Sequence, residues 1–283
     1  MNEAYGTLDV GLGTAYERLV IYRLLDRWFA DRPVSTALDG VVDGMGGIPG
    51  VHLLGLARRG TKVTVCLPDR KALSIVRDIY RTVGVEDKLV PIEAAGPGAG
   101  KFDLVMTFNA LQEVDDWRAH VQKLAGWSGR WLVVSVTSPF SWGVQVRKLQ
   151  RLIQPAGRPE RYAHPAVFPA NLVPELQRVG RIVDEAYVDC PWWPDHVVSA
   201  GTSIFDALSA RVPLIGAQIA SRARRGDPDA FRFGPGRFPY FEGMPGYEEL
   251  LRLLAKHPAF DGRGSLLGRV FGHHHAWLID VSK

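Results

Sequence analysis

The 283 residues carry 34 lysines and arginines against 30 aspartates and glutamates, with 46% hydrophobic and 23% charged content. This composition fits a soluble globular chain with a sizeable core and excludes general disorder, and a net charge of +4 is too small to indicate a nucleic-acid surface. Two cysteines, Cys66 and Cys190, make neither a disulfide framework nor a metal-ligand spacing, so a reducing cytoplasm is the expected compartment. No stretch reads as a signal peptide or reaches the length of a membrane span.

In chain order, a glycine-punctuated start leads into residues 15–29, where Leu19, Val20, Leu24 and Leu25 recur at helical spacing behind Thr14 as N-cap. Residues 37–39 read as the end of a first strand. Gly40, Gly44, Gly46, Gly47 and Gly50 then make a turn whose backbone can approach a ligand closely. A helix over 51–59 ends at Gly60, and residues 62–67 alternate β-branched side chains as a second strand does. This is a βαβ unit of nucleotide-binding type, with a ligand expected at the carboxyl ends of its strands.

A helix over 69–83 and a strand over 89–94 follow, the latter ending near Glu93. Phe102, Leu104, Val105 and Met106 form the apolar run of a central parallel strand, which brings Phe108 and Asn109 out beside the glycine turn. An amide at that switch point either orients a ligand or bonds its own loop, and both roles stay open for Asn109. Asp115 and Asp116 cap the next helix, and residues 130–136 are a fifth strand. His164 lies in a proline-rich loop and is the candidate general base available at neutral pH. A helix over 171–179, a strand over 181–189 and a final strand over 274–281 complete the pattern.

The glycine turn and the passage from Lys101 to Pro139 resemble the class I S-adenosylmethionine-dependent methyltransferases. In that alignment Gly46 and Gly50 take the first and third glycine places, Ile48 stands at the middle one, and Asp43 is the acidic residue, one place early. The resemblance implies an α/β, Rossmann-like fold with a mostly parallel seven-stranded sheet, an N-terminal helical cap (1–34), a core (35–189), a long insertion (190–272) and the final strand (273–283). It implies S-adenosylmethionine as cofactor, with Asp43, Gly44, Gly46 and Gly50 at its amino-acid end, Asp69 or the backbone near Leu67 in place of the ribose acid, Glu93 at adenine, and Phe108 alongside. Tyr16, Asn109 and His164 are then expected to border the methyl group, Tyr16 by cation–π attraction to the sulfonium. The expected acceptor is small and aromatic or lipid-like. The aromatics of the insertion, Trp192, Trp193, Phe231, Phe233, Phe238, Tyr240 and Phe241, either shape its pocket, meet a protein surface or pack among themselves.

Nothing in the spacing predicts a metal centre. Of His273, His274 and His275 only the outer two share one side of a strand, and no cysteine or acidic pair is spaced with them. A second reading keeps the fold and drops the chemistry: a degenerate methyltransferase-like subunit that binds or activates a protein partner, or pairs with its own copy. Nucleic acid is not an expected partner, and contact with a membrane surface is a side reading.

Overall fold

The computed structural model describes residues 12–40, 48–66, 70–92, 97–98, 100–145, 148, 163–189, 238–255 and 266–282. Its strands are β1 (Thr36–Asp39), β2 (Lys62–Cys66), β3 (Leu89–Ile92), β4 (Phe102–Phe108), β5 (Ser128–Thr137), β6 (Arg181–Val188) and β7 (His274–Asp280). They form one seven-stranded sheet in the order β3-β2-β1-β4-β5-β7-β6. The pairs from β3 across to β5 are parallel, and β7 runs antiparallel to both β5 and β6. Position along the sheet follows composition: β4 and β5 are apolar and buried, as strands covered on both faces must be. Pro91, which cannot donate to a ladder, sits in the edge strand β3.

Two hydrophobic clusters lie on the two faces of the sheet. One gathers the inward side chains of α1 (Leu12–Trp28), α2 (Leu54–Arg58), α3 (Arg70–Val83) and α6 (Tyr247–Leu254) with Ala37, Val63, Leu104, Val133 and Leu278. The other joins α4 (Trp117–Trp127) and α5 (Pro169–Val179) to Leu38, Val105, Leu132, Val134 and Ile279. Alternate residues of each strand therefore serve opposite faces, as the pleat demands. A short helix α7 (Leu266–Phe271) leads into β7.

The first helix begins at Leu12, so Thr14 lies inside it rather than capping it. It is far more buried than an amphipathic cover: Tyr16, Leu19, Tyr22, Leu25 and Trp28 are all core residues, with Arg23 exposed. Phe238, Tyr240 and Phe241 also enter this core, where Tyr22 meets the rings of Tyr240 at 5.9 Å and Phe241 at 4.7 Å. Packing is therefore the role of these three aromatics, while Trp192, Trp193, Phe231 and Phe233 lie outside the described residues. Asp116 caps α4 as expected, accepting the Ala119 N–H at 3.1 Å. Among the described residues no helix is long and apolar enough to cross a membrane.

Candidate functional site

The carboxyl edge of the sheet is where a parallel α/β fold presents its ligand. At the end of β1 the Asp39 carboxylate accepts the backbone N–H of Gly50, which pins the far end of the glycine-rich turn to the strand it left. Gly50 has φ 77°, and a Cβ there would lie 2.7 Å from Val65 Cγ2 and 3.2 Å from the Tyr80 hydroxyl. Tyr80 in turn donates to the Gly50 carbonyl at 2.9 Å. Burial pushes the Asp39 carboxyl up to about 6, against the opposing pull of the Gly50 N–H and the Arg18 guanidinium.

Asp39 is a residue that the sequence reading treated as a strand end while giving the acidic role to Asp43. Its signal was present: it is the last residue of β1, immediately before the first glycine of the turn. Asp43, Gly44, Gly46, Leu67, Asp69 and Glu93 lie outside the described residues, and so does Cys190.

At the end of β4, Phe108 is 5% exposed and covered by two imidazoles, His52 at 4.1 Å and His274 at 4.7 Å between ring centroids. Asn109 follows with φ 49°. Its backbone N–H donates to Ser135 at 2.8 Å, and its side-chain oxygen accepts from Gln112 Nε2 at 2.6 Å and from the Thr137 hydroxyl. The amide oxygen is thus occupied in bonding its own loop to β5, the second of the two roles left open for it.

Tyr16 is buried on α1 within the main core. His164 is half-buried and caps the 3-10 turn Pro165–Val167, its Nδ1 accepting the Ala166 N–H at 3.2 Å. Partial burial lowers its basicity, with Glu113 and Asp115 pulling the other way. One ring nitrogen of His164 is therefore committed to a structural bond.

A group of acids and histidines that no spacing in the sequence brings together lies on the same edge. His274 Nε2 donates to Glu17 Oε2 at 3.0 Å, and His273 Nδ1 donates to Asp189 Oδ2 at 2.8 Å. Arg18, 2% exposed, lies 3.3 Å from Glu17 Oε1 and donates to His52 Nε2. Burial and the charge of Arg18 hold the His52 pKa well below the usual imidazole range, so this ring is the neutral acceptor of the guanidinium. Glu17, Asp189 and His274 each offer one ligand atom, all within 4.8 Å of one another.

Only His274 and His275 of the histidine triplet lie on β7, where they face opposite sides, and His273 precedes the strand. His274 faces α1, whereas His275 is packed against Tyr187 at 4.1 Å and Trp277 at 3.8 Å on the other face, and burial lowers its pKa to about 3. The acidic partners come from α1 and from the end of β6, separations that no local spacing rule detects. A groove of about 530 Å³ lined by Phe29, Arg32, Val34, Arg59 and Lys62 lies at the opposite edge, by the amino ends of β1 and β2.

The strand order, with the single reversed strand β7 next to last, is the class I methyltransferase fold. No protein-family model matches the chain, and no curated protein matches it. Solved structures similar to it include the magnesium protoporphyrin IX methyltransferase of Synechocystis PCC 6803 with bound SAH. That match has 19% identity and a TM-score of 0.47, covering 59% of this chain and 75% of that one. The [4+2]-cyclase SpnF is similar at 14% identity and TM-score 0.45, over 92% of this chain and 80% of its own. A SAM-dependent methyltransferase of Thermotoga maritima, titled a possible histamine N-methyltransferase, matches at 11% identity and TM-score 0.44, over 95% and 90%.

Proposed function

We propose that this chain transfers a methyl group from S-adenosylmethionine to a small aromatic or lipid-like acceptor. The observation that supports it is the Asp39–Gly50 closure of the glycine-rich turn at the carboxyl end of β1, one strand away from Phe108 at the end of β4. Asp43, Gly44, Gly46 and Gly50 hold the amino-acid end of the cofactor in this reading, joined by Asp39 and Arg18. Asp69 takes the ribose, Glu93 takes adenine and Phe108 lies beside the ring. Tyr16, Asn109 and His164 border the methyl group, and Glu17, His274 and Asp189 line the acceptor side.

Methyl transfer asks little of these side chains. The sulfonium is already reactive, so alignment of nucleophile, methyl carbon and sulfur supplies much of the rate, and a proton acceptor is needed only where the acceptor atom still holds its proton. The cytoplasm is the working compartment in this reading, and nucleic acid has no part in it.

One observation favours a second reading. Phe108 is covered by His52 and His274, and Ile48 is 4% exposed, so the chain's own side chains fill part of the edge where a cofactor would lie. A subunit that kept the fold and binds a protein partner would look the same. Calorimetry with S-adenosylmethionine and S-adenosylhomocysteine separates the two. Binding of both with Kd on the order of micromolar, lost in Gly46→Val, is the expected result. No heat at millimolar ligand would overturn the enzyme and leave the subunit.

A further inference from the structure

We infer that Glu17, Asp189 and His274 form a binding site for a divalent transition-metal cation on the acceptor side of the sheet edge. For the cation's role this rests on the methyl-transfer reading, but its binding does not.

The first support is geometric. The three residues come from α1, from the residue after β6 and from the first position of β7, and they bring one nitrogen and two carboxylate oxygens within 4.8 Å of each other. Ligand atoms about 2.0–2.2 Å from a shared tetrahedral cation are roughly 3.3 Å apart, so the His274–Glu17 separation of 3.0 Å needs only a small expansion. Ligation through Nε2 needs that nitrogen's lone pair, so the ring proton would move to Nδ1 and the bond to Glu17 Oε2 would give way to the cation.

The second support is the surrounding shell. Ligating carboxylates are commonly held by hydrogen bonds of their own, which fix their orientation. Glu17 has such a bond from Arg18, and Asp189 has one from His273 Nδ1 at 2.8 Å. His274 is held between β5 and β6 in the ladder and is 4% exposed.

The third is ligand chemistry. A mixed imidazole and carboxylate set suits Zn²⁺, Mn²⁺ or Fe²⁺ better than Ca²⁺. With three protein ligands the ion keeps a position open. There it would take an acceptor oxygen and favour loss of that oxygen's proton, which narrows the acceptor to a hydroxyl or enol rather than an unactivated carbon.

The test is titration of the full chain with Mn²⁺, followed by the electron paramagnetic resonance signal of free ion. One saturable site with Kd below about 100 µM is expected, weakened at least tenfold in Glu17→Gln, in Asp189→Asn and in His274→Gln. Circular dichroism of each variant keeps folding apart from ligation, and Glu17→Gln preserves the size and hydrogen-bonding reach of the side chain. Wild-type protein that gives no saturable site at 1 mM Mn²⁺, or binding that survives all three substitutions in folded protein, would overturn the site. Because S-adenosylhomocysteine is absent from this titration, failure of the cofactor reading would appear in calorimetry alone.

Discussion

The Asp39 carboxylate accepts the backbone N–H of Gly50, eleven positions further along, and so closes the glycine-rich turn at its neck. The bond is made by a buried group whose pKa stands at about 6 against an ordinary value of 3.8. The gap corresponds to about 3 kcal/mol, with a sign set by linkage. Between those two values the folded chain holds a proton that the unfolded chain has lost. Stability from this group therefore falls as pH rises from 4 to 6, and the full penalty applies above that. Asp39→Asn keeps an acceptor for the Gly50 N–H and removes the buried charge. Urea unfolding should find the variant more stable than wild type at pH 8 by about 1–3 kcal/mol, and equal to it at pH 4. A variant less stable at pH 8 would mean that the attraction of Arg18 outweighs desolvation. If the charge also serves the cofactor, the stabilised variant should bind S-adenosylhomocysteine more weakly.

Gly50 is constrained twice over. Its φ of 77° is costly for a side chain bearing a Cβ, and that Cβ would press on Val65 Cγ2 at 2.7 Å. Gly50→Ala should lose about 2–4 kcal/mol of unfolding free energy. The double variant with Val65→Ala separates the causes. Removing the valine methyls relieves the steric part and leaves the backbone part, so the two substitutions should be less than additive in a thermodynamic cycle.

The sheet was legible in the chain because its signals are local. β-branched alternation marks β2, a continuous apolar run marks β4, and glycine, proline and aspartate mark the ends of the elements between them. The order of those elements then constrained the topology, and the strands fall within three residues of their expected bounds. The candidate site was less legible, for a physical reason. Glu17 and His274 are 257 positions apart, and neither shows in its own segment that the other faces it. Arg18 was hidden differently: a basic residue on a helix reads as solvated, and only a structure reveals a guanidinium held between Glu17 and His52. Asn109 was placed at the right end of β4, but its partners Gln112 and Thr137 decide that its side-chain oxygen serves the loop.

His52 should give stability a pH dependence opposite to that of Asp39. Burial and the charges of Arg18 and His274 keep its ring neutral in the folded chain, whereas the unfolded chain takes up a proton near pH 6.5. Stability from this group is complete above that pH and is lost as the pH falls below it. Gln at this position offers Arg18 an acceptor oxygen but does not titrate. The fall in stability of the wild type between pH 7 and pH 5 should therefore be smaller in His52→Gln, by chemical unfolding at several pH values. Parallel profiles for the two proteins would show that His52 does not contribute.

Trp28, 1% exposed, donates its indole N–H to Asp184 Oδ2 at 3.0 Å, and thereby ties the last turn of α1 to β6 at the edge of the sheet. The tie decides whether the first helix is a separate cap or part of the cooperative unit. Trp28→Phe removes the donor and leaves a small void beneath α1, while Asp184, half-buried, can still reach water with the oxygen it loses. A cost of about 1.5–3 kcal/mol follows from the lost charge-assisted bond together with the void, with an unchanged denaturant slope if α1 unfolds with the rest. The pairing itself is measured by adding Asp184→Asn and closing the cycle, for which a coupling of about 1 kcal/mol is expected. A reduced slope and an early transition in the near-ultraviolet signal would instead make α1 an independently melting element. Glu17 and Arg18 lie on the same helix, so such melting would also dissolve the acid and histidine group at the sheet edge, and its onset should coincide with loss of Mn²⁺ binding.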